Sequence, residues 1–133
     1  MAADKSIPAE GRVHSRRGLI HIADAAGYSM AGFRRLLAET AARLELGTAA
    51  LAGAAFLWHG ASAVQWMVLA GLFVAVLAVE ALNTAIEVLT DRISPEWSQA
   101  AKDAKDLGSL AVGLVLMLTG LHVVSVLTGF WPG

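Results

Sequence analysis

The chain has 133 residues, of which 56% are hydrophobic, and its mean hydropathy is +0.60. This composition is too apolar for an ordinary soluble domain of that size and indicates a small membrane protein. The chain has no cysteine, so a disulfide framework is excluded. The formal net charge of −1 gives no information about partners. No nucleic-acid partner is expected.

The first part of the chain is polar and punctuated by Gly and Pro. It contains no long apolar stretch, so no cleavable signal peptide is expected there. We predict a polar, disordered tail over residues 1–19 and a single membrane domain over residues 20–133.

Residues 20–45 have the residue spacing of an amphipathic helix. Arginine on its polar side is typical of a helix that lies on a membrane surface. The apolar residues that recur at helical spacing are Met30, Phe33, Leu37, Ala41 and Leu44.

The run from Leu46 to Val79 contains no Lys, Arg, Asp or Glu, and a turn-like break at His59–Ser62 interrupts it. We predict membrane spans at about 46–58, 64–92 and 104–128. The predicted fold class is therefore an all-α membrane protein with an N-terminal amphipathic surface helix and three transmembrane helices. Three helices barely enclose a polar site, so we expect an oligomer. Small residues four apart would allow close helix contacts, at Ala81/Ala85, Ala104/Gly108 and Ser109/Gly113.

The distribution of positive charge predicts the topology. All ten Lys and Arg lie before Leu46, at Arg92, or at Lys102 and Lys105. By the positive-inside rule, the N-terminus and the 92–105 connection are cytoplasmic and the C-terminus lies on the opposite side. Tryptophans near the segment ends fit interfacial belts, with core packing as the alternative; they are Trp58, Trp66, Trp97 and Trp131.

A series of polar residues follows the uncharged run: Glu80, Asn83, Glu87 and Asp91. Steps of three and four keep all of them on one helix face. An ionisable group near the centre of a membrane helix costs at least ~2.5–3.5 kcal/mol, so it usually has a function. Counting from Val64 with a rise of 1.5 Å per residue and a core ~30 Å thick, Glu80 lies roughly 6 Å inside the cytoplasmic edge and Glu87 about 4–5 Å outside it.

This placement suits chemistry between a lipid and a soluble substrate. Glu80 can reach a lipid hydroxyl and act as a general base. Glu87 and a second acid suit Mg²⁺, which prefers oxygen ligands and substrate phosphates. Lys105, near the start of the last helix, suits a phosphate contact.

Each of these residues also has a structural interpretation. Glu80 could bond to a neighbouring helix, and Glu87 could belong to a solvated helix end. Asp91 could pair with a nearby cation, and Lys105 could only enforce topology. Glu39 could be the exposed partner of Arg35 and Arg43.

The pattern Glu-x-x-Asn-x-x-x-Glu-x-x-x-Asp over residues 80–91, with Ala-Lys-Asp at 104–106 and Gly-Ser at 108–109, resembles the small bacterial integral-membrane diacylglycerol kinases. The relatives of these kinases in Gram-positive bacteria are undecaprenol kinases. Residues 25–29 and 39–45 share the resemblance, which covers about residues 20–130. It implies a homotrimer in the bacterial cytoplasmic (inner) membrane, with a cytoplasmic N-terminus, a periplasmic C-terminus and active sites at the membrane–cytosol boundary.

The resemblance implies ATP-dependent phosphorylation of diacylglycerol to phosphatidic acid, with Mg²⁺ as the cofactor. Glu80 matches the general base, Glu39 and Glu87 match the carboxylates that hold the metal, and Asn83 and Asp91 are further active-site residues. The implied nucleotide contacts are His21, Tyr28, Glu39, Glu87, Glu96, Trp97, Ser98, Lys105 and Asp106. The implied lipid contacts are Ala26, Ser29, Glu80 and Ser109.

The N-terminal part departs from the family pattern, since Asp24, His21 and Ala42 stand where the family has Lys, Arg and Phe. The stretch between Ser29 and Glu39 is one residue short. There is no Walker-A pattern and no protein-kinase signature, so phosphoryl transfer would depend on Mg²⁺, Lys105 and positioning.

Three other functions are alternatives. The first is an undecaprenol kinase with the same mechanism. The second is a small proton-coupled exporter, which would leave the cytoplasmic polar residues without a role and would favour an acid at mid-span rather than Glu80. The third is a structural helix bundle.

Overall fold

The computed structural model describes residues 19–131. That range contains four helices and no strand, which confirms the all-α class. The chain divides into two compact units, one up to Ala31 and one from Gly32 onward. Apart from Leu19, the tail predicted over residues 1–19 lies outside the described residues. The helices are α1 (Leu19–Leu37), α2 (Thr40–His59), α3 (Ala63–Ile93) and α4 (Gln99–Leu127).

The structure breaks the helix predicted over residues 20–45. α1 ends at Leu37, α2 begins at Thr40, and Glu39 between them has an extended backbone with φ −75° and ψ 140°. The tighter backbone bonds from Ala38 N to Arg35 O and from Glu39 N to Leu36 O close the end of α1. This corrects the predicted boundary near residue 46, and the sequence carries neither Gly nor Pro at the break that would have signalled it.

The turn between α2 and α3 lies where it was predicted. Gly60 ends α2 in the left-handed region at φ 75°, a conformation that glycine adopts without steric cost. Ser62 then begins α3 with a capping box: its hydroxyl accepts from Gln65 N, and the Gln65 side chain accepts from Ser62 N at 2.8 Å. These local bonds satisfy backbone groups that the two helix ends would otherwise leave free.

Two described helices, α3 and α4, are long and apolar enough to cross a membrane, and α2 is not among them. They have 31 and 29 residues, with peak hydropathies of 2.0 and 2.3. α4 begins at Gln99, earlier than the residue 104 predicted, because the Ser98 hydroxyl caps the helix by accepting from Ala101 N at 3.2 Å. The two helices pack side by side and run antiparallel, since the short connection 94–98 reverses the chain.

A cluster of buried apolar side chains lies near the turn that joins α2 to α3. Phe56, Leu69 and Val126 form one cluster that joins α2, α3 and α4. The Phe56 ring meets Trp66 edge to face, with ring centroids 5.6 Å apart. This cluster fixes the relative positions of the three helices at that end.

Polar bonds close the same end of the bundle. The Gln65 amide Nε2 donates to the backbone oxygen of Trp131 at 3.0 Å. Nε2 of the buried His122 lies 3.1 Å from Gln65 O and donates to it, since a carbonyl only accepts. We call this region the capped end; its residues are Gly60, Ser62, Gln65, His122 and Trp131.

Candidate active site

A cavity of about 320 Å³ lies between α2, α3 and α4, toward the other end of the bundle. Carboxylates from two helices face into it, together with an amide and two hydroxyls. We call it the acidic cavity. Its lining residues are Glu39, Ala41, Glu45, Glu80, Asn83, Thr84, Glu87, Ser109, Val112 and Leu116.

One face of α3 supplies the central polar groups. Steps of three and four residues direct Glu80, Asn83 and Glu87 to the same side of the helix, as predicted. Glu80 and Asn83 are buried, whereas Glu87, about two turns beyond Glu80, is exposed. The Asn83 amide Nδ2 donates to Glu87 Oε1 at 3.1 Å. The face thus runs from an enclosed carboxylate to a solvated one.

Glu39 reaches the acidic cavity from the start of α2. Its carboxylate also forms an ion pair with Arg35, so the alternative interpretation of Glu39 as an Arg35 partner is part of the structure. Arg43 bonds instead to the Thr40 hydroxyl at 3.4 Å. The break between α1 and α2 turns Glu39 toward the cavity, and a continuous helix over 20–45 would not contain this corner.

Glu45 is a cavity residue that our sequence predictions did not include among the site residues. Its side chain is buried, and its Oε2 atom has no hydrogen-bond partner among the described residues. The available signal was its position as the last charge before the uncharged run. Thr84 was missed as well, and no sequence pattern distinguishes it.

The donor set of the acidic cavity fits Mg²⁺. No group of three or more His, Asp or Glu side chains in the described range is close enough to form a metal cage of its own. Mg²⁺ does not require one, because it usually binds through one or two carboxylates and completes its shell with water and substrate phosphates. Glu39 and Glu87 line the same cavity, and the unpartnered carboxylate oxygen of Glu45 leaves further acceptor capacity there.

A second pocket, of about 390 Å³, lies at the connection between α3 and α4. It has two lysines, so it suits an anionic group better than the acidic cavity does. We call it the loop pocket. Five of the predicted nucleotide contacts line it, namely Glu96, Trp97, Ser98, Lys105 and Asp106, together with Lys102.

Ion pairs hold the lysines of the loop pocket. Lys105 pairs with Asp91 across the α3–α4 connection, and Lys102 pairs with Asp106 on α4. The pairing of Asp91 with Lys105 agrees with the structural interpretation of Asp91 given above, in which it pairs with a nearby cation. Lys102, Asp106 and Asp91 are exposed and Lys105 is half-exposed, so these pairs contribute little stability and can yield to a stronger ligand.

The remaining predicted contacts lie in the first unit. Tyr28 is exposed, and the Ser29 hydroxyl donates to the backbone oxygen of Ala25 at 3.0 Å. Ala26 lies on the same helix. The side chain of His21 lies outside the described part of the structure. The roles of these residues stay predictions.

Comparisons with known proteins agree on one family. The chain matches the family model for prokaryotic diacylglycerol kinase over residues 27–127. It is 43% identical over 116 residues to a diacylglycerol kinase of a Sinorhizobium species, covering 87% of this chain and 85% of that protein. The identity to the Pseudomonas aeruginosa diacylglycerol kinase is 37% over 114 residues, covering 84% and 92%. For the Escherichia coli K12 diacylglycerol kinase it is 35% over 102 residues, covering 76% and 84%.

Proposed function

The chain belongs to the prokaryotic diacylglycerol kinase family, and on that basis we propose that it transfers the γ-phosphoryl group of ATP to diacylglycerol, giving phosphatidic acid and ADP. The acidic cavity is the observation that carries this proposal. A buried carboxylate, a buried amide and a solvated carboxylate line it in sequence along α3. A lipid hydroxyl would need the buried environment and a hydrated phosphate the solvated one, and a transfer between them would need the two side by side.

In the proposed reaction, Glu80 accepts the proton of the lipid hydroxyl. The hydroxyl oxygen forms a bond to the γ-phosphorus, and the bond from that phosphorus to the β,γ-bridging oxygen breaks to leave ADP. Glu80 then releases its proton to solvent. Ser109, which lines the α4 side of the cavity, would hold the lipid headgroup.

Glu39 and Glu87 would hold Mg²⁺, with Glu45 as a further acceptor on the cavity wall. When bound, the metal neutralises charge on the phosphates of ATP. The Asn83 amide orients Glu87 through the bond at 3.1 Å. Lys105 and Lys102 supply cationic contacts for phosphates from the loop pocket, where Trp97 offers an aromatic surface.

The membrane arrangement is part of the proposal. α3 and α4 cross the bilayer, α2 provides the third span, and the Glu80 end of α3 faces the cytosol because the connection 92–105 is basic. In this arrangement the chain lies in the inner membrane with its N-terminus cytoplasmic and its C-terminus periplasmic. Three copies would assemble, as the family resemblance implies, because three helices of one copy barely enclose a polar site.

The test is Mg²⁺- and ATP-dependent phosphorylation of diacylglycerol and undecaprenol, measured side by side in mixed micelles. Glu80→Gln should lose activity by about 10²–10⁴-fold, because an amide cannot accept the hydroxyl proton. Asp103→Asn is the matched control, since it makes the same change on an exposed face of α4 and should retain activity.

The outcomes separate the alternatives. Preference for undecaprenol would keep the mechanism and change the lipid. An absence of ATP consumption with either lipid would contradict the kinase proposal and favour the exporter or the structural bundle. Full activity of an assembled Glu80→Gln protein would contradict the role of Glu80 as the general base, but it would leave the kinase proposal intact.

A further inference from the structure

Gly108, which is buried on α4, faces Asn83 on the polar face of α3. A Cβ atom added to Gly108 would lie 2.2 Å from Asn83 Oδ1 and 3.3 Å from Asn83 Cγ. Separations below 3.0 Å essentially never occur for real Cβ atoms. The other described glycines, from Gly27 to Gly129, have either open space or an ordinary contact at that position. A side chain at Gly108 therefore requires the Asn83 side chain or one of the two helices to move, and the overlap is specific to Asn83.

The hydrogen bond to Glu87 fixes the orientation of the Asn83 amide. A carboxylate offers only acceptors, so the nitrogen of the amide must face Glu87 and the oxygen must face Gly108. Asn83 Oδ1 is buried and has no hydrogen-bond partner among the described residues. A Cβ atom on Gly108 would point toward this oxygen. In glycine a Cα hydrogen takes the place of that Cβ, so this hydrogen points toward Asn83 Oδ1 and allows a weak C–H···O contact.

We propose that Gly108 is a positioning residue for the candidate active site: its missing side chain leaves room for the Asn83 amide, and that amide holds the Glu87 carboxylate in the acidic cavity. The inference rests on the proposed function, because the orientation of Glu87 matters to a reaction only if the cavity carries one out. Gly108 itself touches no substrate and acts only through Asn83.

A methyl group at Gly108 leaves two ways to relieve the overlap, and each has a distinct consequence. Asn83 can rotate, which breaks its bond to Glu87 and leaves that carboxylate without its donor. Alternatively, α4 can move away from α3, which loosens the helix pair along its length. Displacements of about 1 Å at a reacting centre can reduce a rate by roughly 10²-fold, so either response lowers activity.

A pure packing role is the competing explanation, because small residues are common where helices pack closely. The two explanations differ in their dependence on Asn83. If Gly108 serves only to bring the backbones together, its replacement is harmful whatever residue stands at position 83. If it makes room for the amide, replacement is harmful only while the amide is present.

The experiment is a double-mutant cycle with Gly108→Ala and Asn83→Ala, with Gly113→Ala as the control on the same helix. A Cβ at Gly113 meets nothing within 4 Å. We would measure kcat and KM for ATP with saturating diacylglycerol, and the thermal unfolding midpoint of each protein in the same micelles. The midpoint reports the steric overlap independently of activity.

We expect Gly108→Ala and Asn83→Ala each to lower kcat/KM by about tenfold or more, and Gly113→Ala to leave it unchanged. Adding Gly108→Ala to Asn83→Ala should change kcat/KM by less than about twofold, because the overlapping atoms are gone. The unfolding midpoint should fall in Gly108→Ala and recover in the double variant.

Losses in activity that multiply in the double variant would overturn the inference in favour of packing, as would a Gly108→Ala protein as active as the wild type. If Gly108→Ala does not assemble, recovery of assembly in the double variant supports the inference, and continued misassembly overturns it. An inactive wild-type protein would instead contradict the proposed function, and the unfolding midpoints would still decide whether Gly108 makes room for Asn83.

Discussion

At the capped end, Ser62, Gln65, His122 and Trp131 are joined by hydrogen bonds to one another. At the acidic cavity, Glu45 Oε2 and Asn83 Oδ1 are buried and have no partner in the described residues. The capped end has one such atom, His122 Nδ1, within a shell of aromatic rings.

This difference indicates that one end of the α3–α4 pair stabilises the fold and that the other end is the candidate site of the chemistry. A partnered buried polar group costs little, whereas an unpartnered one carries a desolvation penalty of about 1–3 kcal/mol. The capped end combines its hydrogen bonds with the Phe56 cluster and leaves only His122 Nδ1 without a partner among the described residues, so it stabilises the fold. The acidic cavity retains its penalty together with several carboxylates in one space, which is typical of a site that a ligand completes.

The largest effect that we expect is on stability at the capped end. Phe56 is fully buried in the cluster with Leu69 and Val126, so Phe56→Ala should lower the free energy of unfolding by about 3–5 kcal/mol. Activity per assembled protein should stay near that of the wild type. Denaturant unfolding in micelles measures the change in the free energy of unfolding. Leu57→Ala, a change at an exposed neighbouring residue, is the control. A loss of activity in correctly assembled Phe56→Ala protein would contradict the separation of the two ends.

The converse effect is expected at Glu87. Glu87→Gln should reduce kcat/KM for ATP by roughly 10²-fold, because one charged acceptor for Mg²⁺ and the phosphates is lost. The free energy of unfolding should change by less than about 1 kcal/mol, since Glu87 is exposed. Steady-state kinetics at varied ATP concentration give kcat/KM, and an unfolding curve on the same preparation gives the free energy of unfolding. A large drop in stability with little change in kinetics would mean that Glu87 belongs to the scaffold.

The smallest effect concerns Glu45, which is buried and whose Oε2 atom has no hydrogen-bond partner among the described residues. Its carboxylate shares the acidic cavity with those of Glu39, Glu80 and Glu87. Glu45→Gln removes one of these carboxylates and should raise the free energy of unfolding by on the order of 1 kcal/mol, because an unpartnered buried polar group carries a desolvation penalty.

Unfolding midpoints of the wild type and of Glu45→Gln, measured in the same micelles without nucleotide and with a chelator present, test the Glu45 prediction. The midpoint of Glu45→Gln should be higher than that of the wild type. A midpoint that falls in Glu45→Gln would mean that the Glu45 carboxylate stabilises the fold.

Parts of the site were predictable because they depend on one helix. Glu80, Asn83 and Glu87 share a face by their spacing alone, and the structure brings all three into one cavity. The turn at Gly60 and Ser62 was predictable for the same reason, since left-handed glycine and a serine cap act within a few residues.

Glu45, Thr84 and Gly108 were not identified as site residues, because their importance arises between helices. Glu45 becomes a cavity residue only when α2 packs beside α3. Gly108 gains its specific role only from the position of Asn83 on the neighbouring helix. The break at Ala38 and Glu39 also escaped prediction, since no residue there disfavours a helix strongly.

The sequence by itself determined the membrane character, the helical class, the turn between α2 and α3 and the polar face of α3, because hydropathy, helical periodicity and capping are local properties. Only the tertiary structure decided which groups meet across helices. It joined Glu39, which precedes α2, and Glu45 of α2 to Glu80 and Glu87 of α3. It also placed the amide of Asn83 against a residue without a side chain. Such contacts depend on helix rotation and close approach, which residue spacing within one helix does not encode.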